Sequence, residues 1–179
     1  MKTKQLIGIL TLLTVASMLA IPVFAQKTQT TTLTADEVYW LKYIREEEKL
    51  ARDVYIYLYN QWGSSIFSNI AASEQTHMDK VKGLLDKYGI ADPAEGNGLG
   101  EFDNEDLQDL YTQLITDGSA SKVAAFKVGV FIELTDIADL QEGIDTATRR
   151  DIRTVYTNLM QGSYNHLAAF ESQLAKIAG

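Results

Sequence analysis

The stretch Ala71-Ala72-Ser73-Glu74-Gln75-Thr76-His77-Met78 sets a carboxylate and an imidazole three residues apart. On a helix that spacing brings both side chains out on one face, a turn apart. The surrounding apolar residues continue the same face, as Phe67, Ile70, Glu74, His77, Val81, Leu84 and Tyr88, in steps of three and four. A stripe of this kind is what a helix turns toward a core. Glu74 and His77 therefore stand at the middle of a buried stripe. An ionised carboxylate there needs a counter-charge, a hydrogen-bond network or a metal ion.

Three more stripes carry the same kind of interruption. Thr34-Ala35-Asp36-Glu37 is a capping box that opens a long helical pattern, with the seam Leu41, Ile44, Glu48, Ala51, Tyr55, Leu58 and Trp62. Of its three adjacent glutamates only Glu48 falls on the seam; Glu46 and Glu47 are expected to point away. Gly63-Ser64-Ser65 makes a short turn into the second helix, so the two are antiparallel neighbours, and Gly89 closes the second. Asp92-Pro93, Gly96, Gly98 and Gly100 read as a loop, and Asn104 to Asp117 as a short helix bearing Leu107, Leu110, Tyr111 and Leu114. The third long helix has the seam Val123, Phe126, Val130, Glu133, Ile137, Leu140 and Ile144. Thr148-Arg149-Arg150-Asp151 offers a second capping box before the last helix, which runs through Ile152, Val155, Leu159, Ser163, His166, Phe170, Leu174 and Ile177.

The expected fold is all-α: an antiparallel four-helix bundle, with a long crossover carrying a short extra helix between helices 2 and 3. Taken singly, a seam glutamate reads as an edge residue reaching solvent, and a core histidine as one bonded to backbone. Helices of similar length in hairpins place their midpoints at one depth, so Glu48, Glu74, His77, Glu133 and His166 converge. Three carboxylates in a low-dielectric centre repel unless a cation neutralises them, which makes these five residues the expected metal ligands. Without metal, the pKa values of the three carboxylates are expected to rise, and Glu74→Gln to stabilise the chain.

Composition narrows the chemistry. The chain has 179 residues, enough for one domain with a sizeable core. Lys2 and Lys4 precede an apolar run from Leu6 to Phe24, ending in Val23-Phe24-Ala25. The pattern is that of a secretory signal peptide over residues 1–25, followed by a Thr/Gln-rich spacer over 26–33 and one domain over 34–179. An uncleaved anchor is the other reading of that run, and the one way the sequence offers to a membrane. The expected location is outside the cytoplasm: periplasmic, extracellular or at the cell surface. Losing residues 1–25 removes two lysines and no acid, taking the net charge from -8 to -10, which argues against nucleic acid as a partner. The chain has no cysteine, so thiolate zinc sites, iron–sulfur clusters and thiol nucleophiles are excluded and any metal must be held by oxygen and nitrogen.

The same residues resemble the ferritin-like di-iron carboxylate proteins, rubrerythrin in particular. That pattern is Glu on the first helix, Glu-x-x-His on the second, Glu on the third and Glu-x-x-His on the fourth. Glu48-Lys49-Leu50-Ala51-Arg52-Asp53-Val54-Tyr55 is similar to the first-helix motif of rubrerythrins, and Glu74, His77, Glu133 and His166 match the later ligands. More closely, residues 34–175 resemble the ferritin-like family called domain of unknown function 2202. The phrases that carry it are Glu46-Glu47-Glu48-Lys49-Leu50-Ala51, Ser73-Glu74-Gln75-Thr76-His77-Met78 and Gly162-Ser163-Tyr164-Asn165-His166.

The resemblance implies one or two iron ions at the bundle centre, with manganese or zinc as other occupants of such ligands, and oxidation of ferrous iron or reduction of peroxide as the reaction. With no cysteine-ligated electron-transfer module in the chain, an external electron donor is the implied partner beside the metal ion; a homodimer is also open. Ser163 stands where the pattern has the fourth-helix glutamate that bridges two metals. That departure favours an alternative, a non-catalytic metal-binding or structural bundle, and the expectation of one tightly held ion and a second held weakly. Asp136, a turn beyond Glu133, reads as a solvated charge, a substitute carboxylate being the other reading; Tyr55 reads as core packing.

Overall fold

The computed structural model describes residues 32–178. The leader expected over 1–25 and nearly all of the spacer lie outside them. Among the described residues there are five helices and no strand: α1 (Ala35–Trp62), α2 (Ser65–Tyr88), α3 (Glu105–Gly118), α4 (Lys122–Thr146) and α5 (Arg150–Ala178). None of them is long and apolar enough to cross a membrane.

Local signals set the helix ends. The Thr34 capping box forms as expected, with the Glu37 amide donating to Thr34 Oγ1 at 3.1 Å and the Thr34 amide to Glu37 Oε2 at 2.9 Å. Gly63 (φ 63°) and Gly89 (φ 67°) end α1 and α2 in the left-handed region where a side chain would be strained. Asn104 caps α3 by accepting from the Asp106 and Leu107 amides.

The second capping box does not form. The Thr148 hydroxyl and amide and the Arg149 amide all donate to Glu37 Oε1, at 2.7, 2.8 and 3.0 Å, so a carboxylate from α1 caps α5. Asp151 is turned instead to Lys87 (2.6 Å) and the Tyr88 hydroxyl (2.9 Å) at the end of α2.

The four long helices close a ring in the order α1, α2, α5, α4. Glu37 meeting Thr148 marks one end of the bundle, and the Trp62 indole donating to the Gly118 carbonyl marks the other. Each helix in the ring is therefore antiparallel to both neighbours. The crossover from Gly89 to Ser121 returns the chain along the bundle, with α3 packed on α1 and α4.

α1 holds that crossover through polar contacts. Arg45 pairs with Asp92 through Nε (3.0 Å) and Nη2 (2.9 Å). The buried Lys49 ammonium donates to Asp53 (2.6 Å) and to the carbonyls of Gly98 (2.7 Å) and Glu101 (2.9 Å). Glu46 Oε1 accepts from the amides of Asp103 and Asn104. Glu46 and Glu47, expected to point away from the seam, are both buried, Glu46 under the crossover and Glu47 toward α4. The crossover covers the face of α1 that a four-helix picture leaves to solvent.

The α4 stripe also differs from the expected one. Val130, Ile137 and Ile144 are only half-buried, and the inner face is Phe126, Gly129, Ile132, Glu133, Asp136, Leu140 and Gly143. A Cβ at Gly129 would lie 2.7 Å from the Phe170 ring, and one at Gly143 2.9 Å from the Tyr156 ring. Two glycines thus let α5 aromatics approach α4, and hydropathy does not mark glycine as a core residue. The other seams hold, apart from half-buried Trp62, Tyr88, Val155 and Leu174 and exposed Ile177.

Two apolar clusters fill the bundle. One contains Val54, Tyr55, Leu58, Phe67, Ile70, Phe126 and Phe170; the other contains Leu41, Ile44, Val81, Leu84, Leu140, Ile152, Tyr156 and Leu159. On each long helix the polar seam residues fall between these clusters. The fold therefore holds a polar layer at mid-depth between two dry ones.

Candidate metal centre

All five residues singled out by spacing are buried in that layer. His77 Nδ1 lies 2.7 Å from Glu74 Oε2 and 3.1 Å from Glu48 Oε2. His166 Nδ1 lies 2.8 Å from Glu74 Oε1 and 3.5 Å from Glu133 Oε2. Glu74 thus stands between two histidines and serves two groups: Glu48, Glu74 and His77, and Glu74, Glu133 and His166. Within each group the donor atoms lie within 4.8 Å of one another, close enough to hold one ion. The imidazoles stack with centroids 5.6 Å apart.

The outward side of each ring is fixed as well. His166 Nε2 lies 3.0 Å from Ser73 Oγ, which leaves Nδ1 facing the centre. His77 lies over Gly162, where a Cβ would come within 2.7 Å of Cε1 and Nε2. Any side chain at 162 would push the imidazole out of place.

Inside the layer, polar atoms outnumber their hydrogen-bond partners. Glu48 Oε1, Glu74 Oε1, Asp136 Oδ1 and His166 Nδ1 are fully buried without a hydrogen bond. The Glu74 Oε1 and His166 Nδ1 pair is close but badly directed for one. Buried polar atoms in native proteins nearly always have partners, so four orphans in one layer fit a set of ligands turned toward a shared cation.

Burial and charge act differently on each carboxylate. Burial raises Glu74, but the His166 and His77 rings on either side outweigh it and bring the group down to about 2. Burial lowers His166, yet the carboxylates of Glu133 and Glu74 beside it lift it to about 9, and His77 is raised in the same way by Glu74. Burial and then the charge of Asp136 hold Glu48 well above the carboxylate range. Burial lifts Glu133 to about 7 against the pull of His166. Metal-free, the layer holds one firmly ionised glutamate between two imidazoles whose protonated forms it favours, with Glu48, Glu133 and Asp136 raised around it. The expectation that every carboxylate is raised fails at Glu74 because it alone contacts both histidines.

Three participants were missed or misjudged by spacing. Asp136 is no solvated charge: it is buried, accepts a short hydrogen bond from the Ser163 hydroxyl, and is lifted to about 8 by burial and by Glu133. Its place a turn from Glu133, on the same face, was the signal available. Tyr55 does pack against Phe67 and Phe170, but its hydroxyl also donates to Glu133 Oε1 at 2.6 Å. Glu47 is buried within electrostatic reach of Asp136 and Asp139, and nothing in the seam pattern marks it.

Fold and site together define an all-α protein with a buried carboxylate–histidine centre. The family model described as "Uncharacterized protein domain (DUF2202)" matches residues 37–178, and the chain belongs to that family. It is similar to the uncharacterized protein MJ0754 of Methanocaldococcus jannaschii, 54% identical over 131 residues, covering 73% of this chain and 71% of that protein. The crystal structure of that hypothetical protein superposes with a TM-score of 0.81 at 49% identity, covering 83% of this chain and 85% of the other.

Proposed function

We propose that this protein is an exported, ferritin-like metal-binding bundle whose centre holds two divalent cations side by side. Glu48, Glu74 and His77 bind one, Glu74, Glu133 and His166 bind the other, and the Glu74 carboxylate is shared. The single observation that carries this reading is the position of Glu74, with one oxygen toward each histidine. Hard oxygen donors with imidazole suit iron and manganese, and also zinc. The single long crossover of the ring is the topology of ferritin-like bundles.

Bound iron would supply the redox chemistry: oxidation of the ferrous ion, or reduction of peroxide with electrons from an external donor. The protein's own residues do the remaining work. The two apolar clusters keep bulk water from the layer. Tyr55 holds a proton on Glu133 Oε1, and burial together with the Glu133 charge pushes its phenol up so that it stays a donor. Ser73 and Gly162 set the orientation of the two imidazoles.

Ser163 favours a second reading, a metal-holding bundle without catalysis, because a neutral hydroxyl takes the place of a bridging carboxylate. Asp136 supplies a carboxylate at the same point from α4, which supports a charge balance sufficient for two cations. Metal analysis of protein purified without added metal tests the binding, with about two ions per chain expected. Oxygen or peroxide consumption by the ferrous-loaded protein separates the readings. Binding without consumption leaves the non-catalytic bundle, and no binding at saturating free metal removes both.

A further inference from the structure

Glu47 has no part in either ligand group. It is 4% exposed on α1, and its Oε2 is buried without a partner. Because α1 and α4 run antiparallel, acids and donors along the two helices meet in reverse order. At the outer turn the Tyr43 hydroxyl reaches Asp139 Oδ2 at 3.5 Å, and Asp139 is half-buried. One turn inward on α1, Glu47 is close enough to both Asp136 and Asp139 of α4 for their charges to act on its carboxyl. Asp136 in turn touches Ser163 in the central layer and keeps its own Oδ1 unpaired. The two buried cations nearby on α1 are committed elsewhere, Arg45 to Asp92 and Lys49 to Asp53 and the crossover carbonyls.

We propose that Asp139, Glu47 and Asp136 form the path by which a hydrated divalent cation passes from solvent, between α1 and α4, into the centre. Buried carboxylate oxygens without partners are costly to fold around, and a row of them leading from a half-exposed acid to a ligand layer suits a passing cation. Each acid can replace one water of the incoming ion. Among the described residues, only the two central groups gather three donors within 4.8 Å, so the row hands the ion inward rather than keeping it. The inference rests on the metal-centre reading and adds how the ion arrives.

The test is the rate of cobalt(II) uptake by the full-length, metal-free protein in stopped flow, followed by the visible absorption of ligated cobalt. An acid at the solvent end of such a path speeds the encounter with a cation, and the acids further in serve as successive oxygen ligands. Asp139→Asn and Glu47→Gln are each expected to slow loading by about threefold or more, with the final cobalt per chain unchanged. Asp109→Asn, an exposed acid on α3, should load at the wild-type rate. Wild-type rates in both path variants overturn the path while the centre stands. Equal slowing in Asp109→Asn also overturns it, because general attraction then explains the rate. A wild type that takes up no cobalt removes the centre and the path together. Should Glu47→Gln fail to fold, Asp139→Asn alone decides.

Discussion

The Ser163 hydroxyl donates a hydrogen bond to Asp136 Oδ2 across the α4–α5 interface, at the depth of Glu48, Glu74, His77, Glu133 and His166. The carboxylate that the di-iron pattern takes from the fourth long helix reaches this layer from the third instead. A serine is what leaves room for it.

Exchanging the pair should therefore be tolerated where a single change is not. Ser163→Glu alone crowds Asp136 with a second acid and should destabilise the metal-free protein by about 1–3 kcal/mol. Combining it with Asp136→Ser should recover most of that loss and keep the metal content of the wild type. Urea unfolding and metal per chain for the three proteins check this, and an equally unstable double variant would show that the two positions do not share one place.

Glu74 and Glu48 should respond in opposite ways when neutralised. Glu74 is ionised between two histidines whose protonated forms it favours, so Glu74→Gln strands them and should cost the metal-free chain about 3 kcal/mol. Glu48 already holds a proton, so Glu48→Gln should be neutral or slightly stabilising. Both should lose metal binding. Melting in the presence of chelator separates them, and a stabilised Glu74→Gln protein would return the site to the picture of simple acid repulsion.

Metal uptake should release protons. Glu133 (about 7), Asp136 (about 8) and His166 (about 9) are raised in the metal-free layer, so each holds protons at neutral pH that a cation must displace. Apparent affinity should climb as pH rises from about 6 to about 9 and weaken as it falls. Calorimetry in buffers of different ionisation enthalpy counts the protons. Uptake with none released at pH 7 contradicts the assignment.

The crossover should be the acid-labile part of the fold. The Arg45 hydrogen bonds outweigh burial and hold the Asp92 carboxyl below its ordinary value, so its contribution is present above the carboxylate range and lost as pH falls through and below it. Asp92→Asn leaves the buried Arg45 unpaired and should cost about 3 kcal/mol at neutral pH. The gap between variant and wild type should close as pH falls below about 4. Urea midpoints from neutral to acid pH measure it, and a constant gap would assign the loss to packing alone.

Much of this architecture was legible in the chain. Steps of three and four located four long helices, because burial on one side of a helix leaves a periodic mark, and Gly89 and the Thr34 box gave ends set by local backbone chemistry. The same periodicity found Glu48, Glu74, His77, Glu133 and His166, since an acid or imidazole on an apolar stripe stands out against its neighbours. Tertiary structure decided the rest. Glycine has no side chain for a hydropathy pattern to register, so the inner face of α4 emerged only from the approach of Phe170 and Tyr156 to Gly129 and Gly143. The burial of Glu46 and Lys49 depends on a crossover folding back over α1, a contact made across about fifty residues of chain. Asp136 became part of the centre because Ser163, on another helix, left room and a hydrogen for it. Which acids keep their protons was likewise beyond sequence, because charge in a buried layer depends on which group sits between the histidines, and only the packed bundle puts Glu74 there.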